Sequence, residues 1–239
     1  MSFFRNRRVL PYLLLYFASA CQTQPPPPPD TGTMTDSLTF LALGDSYTIG
    51  ERVDSSRRWP VQLAQLLRNE GLPLLDPVII ARTGWTTDEL DSVIDSIGPE
   101  GPFDLVTLLI GVNNQYRGRA LEEYRTQFTN LLERAVGFSG GHPDRVVVLS
   151  IPDWGVMPFA EGRDREAIAN EIDEFNRVNR EEARALGVPY VDVTRISREA
   201  ESVPELVASD GLHPSGTQYS RWAEEALPVA KRVLAGAGG

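Results

Sequence analysis

Four short clusters in this sequence have the residue types of an acyl-transfer centre. Asp210 and His213 stand three apart in Asp210-Gly211-Leu212-His213-Pro214. Within one turn of chain, that spacing lets the carboxylate meet the imidazole Nδ1 and leaves Nε2 facing outward. This is the orienter-and-base half of a hydrolytic triad. Ser46 directly follows an apolar run, in Gly44-Asp45-Ser46-Tyr47-Thr48. A tight turn at Gly44 presents its hydroxyl as a nucleophile. A strand-to-helix junction there also points backbone N–H groups at the reacting atoms, which suits an oxyanion. It is not a Gly-x-Ser-x-Gly elbow, because no glycine sits two residues after Ser46. Two further clusters follow apolar runs, Thr83-Gly84-Trp85-Thr86 and Gly111-Val112-Asn113-Asn114. The other histidine, His142, lies in a turn that enters a strand, at its amino end, and is read as a surface turn residue. Taken singly, each cluster is also ordinary turn chemistry, and Asp210 is also a helix-capping residue beside a loop histidine.

What weighs against the ordinary reading is where the elements put these clusters. Apolar runs at 38–43, 77–81, 105–110, 145–151 and 189–193 read as buried strands. Between them, apolar residues recur at helical spacing over 59–68, 87–97, 121–135 and 164–186, with a last helix at 215–234. Pro60 fits a first helical turn and Gly71 a stop. Continuous apolar strands separated by amphipathic helices mean a parallel sheet covered on both faces, a three-layer α/β/α domain. Such sheets bind ligands beyond the carboxyl ends of their strands. Three clusters follow strands and the fourth precedes the last helix, so one sheet edge gathers them.

Composition narrows the chemistry further. The 239 residues carry 23 Lys+Arg and 33 Asp+Glu, a net charge of −10. An acidic surface repels phosphates, so nucleic acid is not an expected partner. A single cysteine excludes an intramolecular disulfide and a Cys-based zinc site. With two histidines as well, neither a metal nor a cofactor is expected. Residues 1–20 read as an export signal: Arg5, Arg7 and Arg8, then an apolar run from Val9 to Phe17, then Ala18-Ser19-Ala20 before Cys21. The arrangement resembles a bacterial lipoprotein signal, which makes Cys21 the lipid attachment point. Residues 21–36 read as a tether, with Pro25 to Pro29 forming an extended polyproline spacer. The domain is then residues 37–239. Loss of residues 1–20 takes the net charge to −13. The expected location is the cell envelope, anchored in the periplasm or outer membrane, with plain secretion as the alternative.

Gly44-Asp45-Ser46, Gly84, Gly111-x-Asn113 and Asp210-x-x-His213 together resemble the four motif blocks of the SGNH (GDSL) hydrolase family. They stand in the family's order between Phe40 and Trp222. The resemblance implies a flavodoxin-like five-stranded fold and ester hydrolysis through a serine acyl-enzyme. It implies Ser46 as nucleophile, His213 as base and Asp210 as its orienting acid. It implies an oxyanion hole from the Ser46 and Gly84 N–H groups and the Asn113 amide. Two positions depart from the family's frequent pattern: Tyr47 where leucine is common, and Asn114 where aspartate is common. The second leaves open which asparagine reaches the site. Tyr47, Trp85, Tyr116 and Trp154 lie just beyond strand ends, where they wall a substrate pocket or fill the top of the core. The implied substrate is a small acyl ester, a lysophospholipid or an acetylated glycan. A non-catalytic ligand-binding lipoprotein of the same fold is the competing reading. A nucleotide binder is a third, and it lacks a Gly-x-x-x-x-Gly-Lys loop.

Overall fold

The computed structural model describes Met1 and residues 37–236. The expected signal, Cys21 and the proline tether therefore lie outside the described residues. In chain order, β1 (Phe40–Gly44) runs through Asp45 into α1 (Ser46–Ile49). α2 (Trp59–Asn69) leads to β2 (Val78–Ala81), and α3 (Thr87–Ile97) to β3 (Leu105–Leu109). α4 (Val112–Tyr116) and α5 (Leu121–Phe138) precede β4 (Val146–Leu149). α6 (Arg165–Leu186) precedes β5 (Tyr190–Val191). α7 (Thr194–Arg198) and α8 (Gly216–Gly236) follow.

The five strands form one parallel sheet in the order β2-β1-β3-β4-β5. This is the α/β fold that the alternating pattern predicts. The chain moves one way from β1 to β2 and the other way from β3 onward. The switch point, where such sheets open a crevice, therefore lies between the carboxyl ends of β1 and β3. Every residue of β1, β3 and β4 is buried, as strands covered on both faces must be. The edge strand β2 is partly exposed. α2 packs on α8, while α3 packs on α5 and α5 on α6. The α2–α8 layer buries the largest side chains, with Trp59, Tyr219 and Trp222 all fully inaccessible.

The sequence pattern overestimates two strands, and the reason is local. β5 covers two residues rather than 189–193, because side chains take over from the ladder. The Ser150 hydroxyl accepts from the Val193 and Thr194 N–H groups at 2.8 and 3.0 Å, and the chain turns into α7. β4 stops at Leu149 for a similar reason: the Ile151 N–H donates to the Asn176 side chain at 2.7 Å.

Candidate active site

The turn that carries Ser46 is fixed by close approach. A Cβ on Gly44 would stand 2.4 Å from the Leu109 carbonyl oxygen of β3 and 2.2 Å from the Thr48 hydroxyl. Only glycine lets β1 end this close to its neighbour. Asp45 then caps α1, its Oδ1 accepting the Tyr47 N–H at 3.0 Å. Ser46 occupies the first position of α1, so its N–H has no intrahelical acceptor. Its side chain lines a cavity of ≈ 210 Å³.

Asp45 itself is wholly inaccessible. Among the described residues its Oδ2 has no hydrogen-bond partner. Burial pushes its carboxyl up to about 7, against the smaller opposing effects of the Tyr47 N–H and its own backbone N–H.

Across the cavity stands the Asp210–His213 pair. Val207 and Pro214 form an isolated antiparallel bridge that closes the loop between them. Asp210 Oδ1 accepts the backbone N–H groups of Leu212 and His213, each at 3.0 Å. Its Oδ2 lies 2.6 Å from His213 Nδ1. Burial raises the Asp210 carboxyl, but hydrogen bonds from the His213 side chain and these N–H groups outweigh it. The result is below the ordinary carboxylate value, so Asp210 is ionised at neutral pH. The Arg52 Nε, 3.7 Å from the same Oδ2, adds a nearby positive charge. Arg52 holds a φ of 66°, unusual for a residue with a side chain. His213 is buried apart from its face on the cavity, with Tyr47 tilted against it at 5.7 Å between ring centroids. No hydrogen bond joins His213 to Ser46 among the described residues, and both line the same cavity. Catalytic contacts are often longer in a free enzyme and tighten with substrate.

The opposite rim is built at the ends of β2 and β3. Gly84, with φ of 87°, places its backbone on the cavity wall, and its carbonyl accepts from Arg117 Nη2 at 2.5 Å. Gly111, with φ of 129°, starts α4 so close to Tyr124 that a Cβ would meet the phenol at 2.4 Å. The two asparagines that follow separate cleanly. Asn113 lines the cavity, and one N–H of its amide donates to the Trp85 carbonyl at 2.9 Å. A second N–H remains for another acceptor. Asn114 is fully buried and turned to α3: its Oδ1 accepts the Thr87 N–H at 3.1 Å, and its amide donates to the Thr87 hydroxyl at 2.7 Å. Asn114 thus ties α4 to the start of α3 and does not line the cavity.

Of the four aromatic residues expected at the pocket, Tyr47, Tyr116 and Trp154 line it. Trp85 does not; it meets the site through its carbonyl, on Asn113. Phe159, Val112, Thr83 and Leu212 complete the lining. Thr83, Val112 and Leu212 stand within the clusters read from the sequence, and Phe159 ends the aromatic- and proline-rich stretch 152–159, which the sequence offers as a pocket wall. Trp154 is held by its Nε1–H, which donates to Gln115 Oε1 at 2.8 Å. The preceding Asp153 is buried and paired with Arg198 at 2.9 Å. His142 is exposed in the turn before β4, far along the strand from the cavity edge. Among the described residues, no group of three or more His, Cys, Asp or Glu side chains is placed to hold a metal ion.

The arrangement offers a hydroxyl, an imidazole backed by a carboxylate, and three N–H groups on one small, mostly apolar cavity. That is the equipment for attack on a carbonyl carbon and for holding the resulting oxyanion. Comparison with known proteins agrees. The model of the GDSL-like lipase/acylhydrolase family matches residues 42–221. Among solved structures, the chain is similar to TesA, at 23% identity and a TM-score of 0.65, covering 82% of this chain and 99% of that one. It is similar to a lipolytic G-D-S-L family protein from Veillonella parvula DSM 2008, at 18% identity and 0.64, covering 82% and 100%. It is also similar to Axe2, an acetylxylan esterase from Geobacillus stearothermophilus, at 19% identity and 0.62, covering 81% and 94%. No curated protein matches the sequence.

Proposed function

The chain belongs to the GDSL-like lipase/acylhydrolase family and is a hydrolase of ester bonds, and on that premise we propose that Ser46 is its nucleophile, His213 its general base and Asp210 the acid that orients the base. His213 Nε2 takes the Ser46 proton as the hydroxyl oxygen attacks the ester carbonyl. The tetrahedral oxyanion is received by the Ser46 and Gly84 N–H groups and the free N–H of Asn113. His213 then passes its proton to the departing alcohol, leaving an acyl-serine. Water, deprotonated by His213, repeats the sequence and frees the acid. Asp210 holds the Nδ1–H tautomer and offsets the imidazolium charge through both steps.

The observation that carries this reading is the convergence of Ser46, Gly84, Asn113 and His213 on one cavity, with Asp210 2.6 Å behind the imidazole. The cavity also bears on the substrate. At ≈ 210 Å³ it is smaller than the roughly 300–1,000 Å³ of typical ligand pockets, and it is mostly apolar. This favours short acyl groups, such as those of acetylated glycans or other small esters, over long lipid chains. The test is a series of p-nitrophenyl esters of increasing chain length, beside acetylated sugars, on wild type and Ser46→Ala. Turnover is expected to peak at short chains. Ser46→Ala is expected to lose about 10⁶-fold, the cost of removing a triad nucleophile. Full activity in Ser46→Ala overturns the assignment. A fluorophosphonate should label Ser46 and be found there by peptide mass mapping.

The sequence of residues 1–36 supports export and attachment. In this reading Cys21 is diacylated and the proline tether holds the hydrolase away from the membrane. Detergent phase partition of the expressed protein tests it: wild type enters the detergent phase, and Cys21→Ser stays in the aqueous phase.

A further inference from the structure

Among the described residues, one cation at the mouth of the cavity has no partner of opposite charge. Arg163 lies in the exposed turn between the cavity wall and α6. Its guanidinium sits over three rings, with its carbon 5.4 Å from the Tyr116 centroid, 5.3 Å from Trp154 and 5.1 Å from Phe159. These are the three rings that line the cavity on this side, and they pack on one another at 5.3–6.4 Å. The ring faces attract the cation and hold it in place, while its N–H donors stay available to other groups. Of its five N–H donors, one makes a long contact to the Tyr116 hydroxyl at 3.4 Å. Among the described residues, no carboxylate lies within ion-pairing distance of it. Other arginines of the site differ: Arg117 is paired with Glu89, Arg119 with Glu123, and Arg52 approaches Glu51 and Asp210.

An arginine held over three rings, with N–H donors to spare, can bind a planar or tetrahedral oxyanion. The rings beneath it wall the cavity, so its charge stands beside whatever part of a substrate projects from the mouth. We propose that Arg163 is a specificity-determining residue that binds a single negative charge, carboxylate or phosphodiester, on the alcohol part of the ester. This rests on the hydrolysis at Ser46 proposed above, with the acyl group inside the cavity. It also refines the meaning of the acidic composition. A net charge of −10 repels multiply charged substrates at long range. An unpaired guanidinium at the mouth selects one charge at short range.

The experiment compares aryl acetates that share the acetyl group and release phenols differing in the charge of the para substituent: 4-acetoxybenzoate, its neutral methyl ester, and 4-acetoxyphenyl methyl phosphate. The readout is the ratio of kcat/KM, anionic over neutral, in wild type, Arg163→Gln and Arg163→Lys. For at least one of the two anions, Arg163→Gln is expected to lower the ratio about tenfold, the scale of one charge-assisted hydrogen bond at a partly exposed site. Arg163→Lys should restore part of it, because the charge returns without the fork. Which anion responds more distinguishes a carboxylated alcohol from a phosphodiester. If Arg163 only braces the rings, substitution lowers neutral and anionic turnover alike and the ratio stays within twofold for both anions; that result overturns the proposal. If wild type hydrolyses the neutral ester and Ser46→Ala hydrolyses it equally, the assignment of Ser46 fails instead.

Discussion

Replacing Asp45 by asparagine should change how stability depends on pH, and the size of the change follows from the structure. Asp45 is fully buried, one carboxyl oxygen has no partner among the described residues, and burial pushes the group up to about 7 from an ordinary 3.8. The sign follows from linkage. A carboxyl raised in the folded state keeps a proton that the unfolded chain has lost. It therefore contributes stability that is complete below the unfolded value and lost as pH rises through about 7. Each tenfold difference in proton affinity is worth about 1.4 kcal/mol. Between pH 5 and pH 8 the native protein gives up nearly two tenfold steps of this advantage, so it loses about 2–3 kcal/mol. Asp45→Asn keeps an oxygen to accept the Tyr47 N–H and cannot ionise. All other titrating groups cancel in the comparison. Urea denaturation of both proteins at pH 5, 6, 7 and 8 measures the difference. The variant should gain about 2–3 kcal/mol relative to wild type between pH 5 and pH 8. A difference that stays constant within about 0.5 kcal/mol across that range would falsify the picture of a carboxyl strained by burial.

Three further outcomes are expected. Asn113→Ala removes one oxyanion donor and should lower kcat about 10²–10³-fold with little change in KM, measured on a short p-nitrophenyl ester. Asn114→Asp puts an acceptor opposite the Thr87 hydroxyl, which already donates to Gln127. It should cost about 1–3 kcal/mol in chemical denaturation while kcat falls far less than in Asn113→Ala. Gly111→Ala drives a methyl into the Tyr124 ring at a φ of 129°. It should lower the unfolding free energy by about 2 kcal/mol or more, with a fall in Tm that calorimetry detects.

The fold was legible because the central strands are buried on both faces and so read as unbroken apolar runs. Leu38 to Leu43 and Leu105 to Ile110 leave no alternation to confuse with a half-exposed sheet. The candidate site was legible for a related reason: a parallel sheet gathers the ends of distant strands at one edge, so four small polar clusters acquired a common address. Less was legible where side chains compete for one position. Asn113 and Asn114 are neighbours of identical chemistry, and only the Thr87 contacts, 27 residues away in sequence, separate the cavity from the α3 cap. Trp85 and Phe159 are both large rings beside a strand end; the helical turn after Thr86 and the 158–160 turn decide which one lines the cavity. Arg163 stands in an exposed turn without periodicity, so nothing in the sequence ties it to Tyr116, 47 residues earlier.

The Phe159 N–H donates to the Gly211 carbonyl at 2.9 Å, and Pro158 packs within 3.4 Å of where a Gly211 Cβ would stand. The turn that walls the cavity is thus stitched to the loop that carries Asp210 and His213. Natural variation or engineering that enlarges the cavity by displacing this turn drags the base away from Ser46 and spends catalytic rate on substrate range. The opposite wall is stitched less directly: Thr83 reaches the loop only through Glu51 and Arg52, and among the described residues Val112 makes no hydrogen bond to it. Reshaping the pocket at Val112 therefore leaves the base in place, whereas reshaping it at 158–160 moves the base.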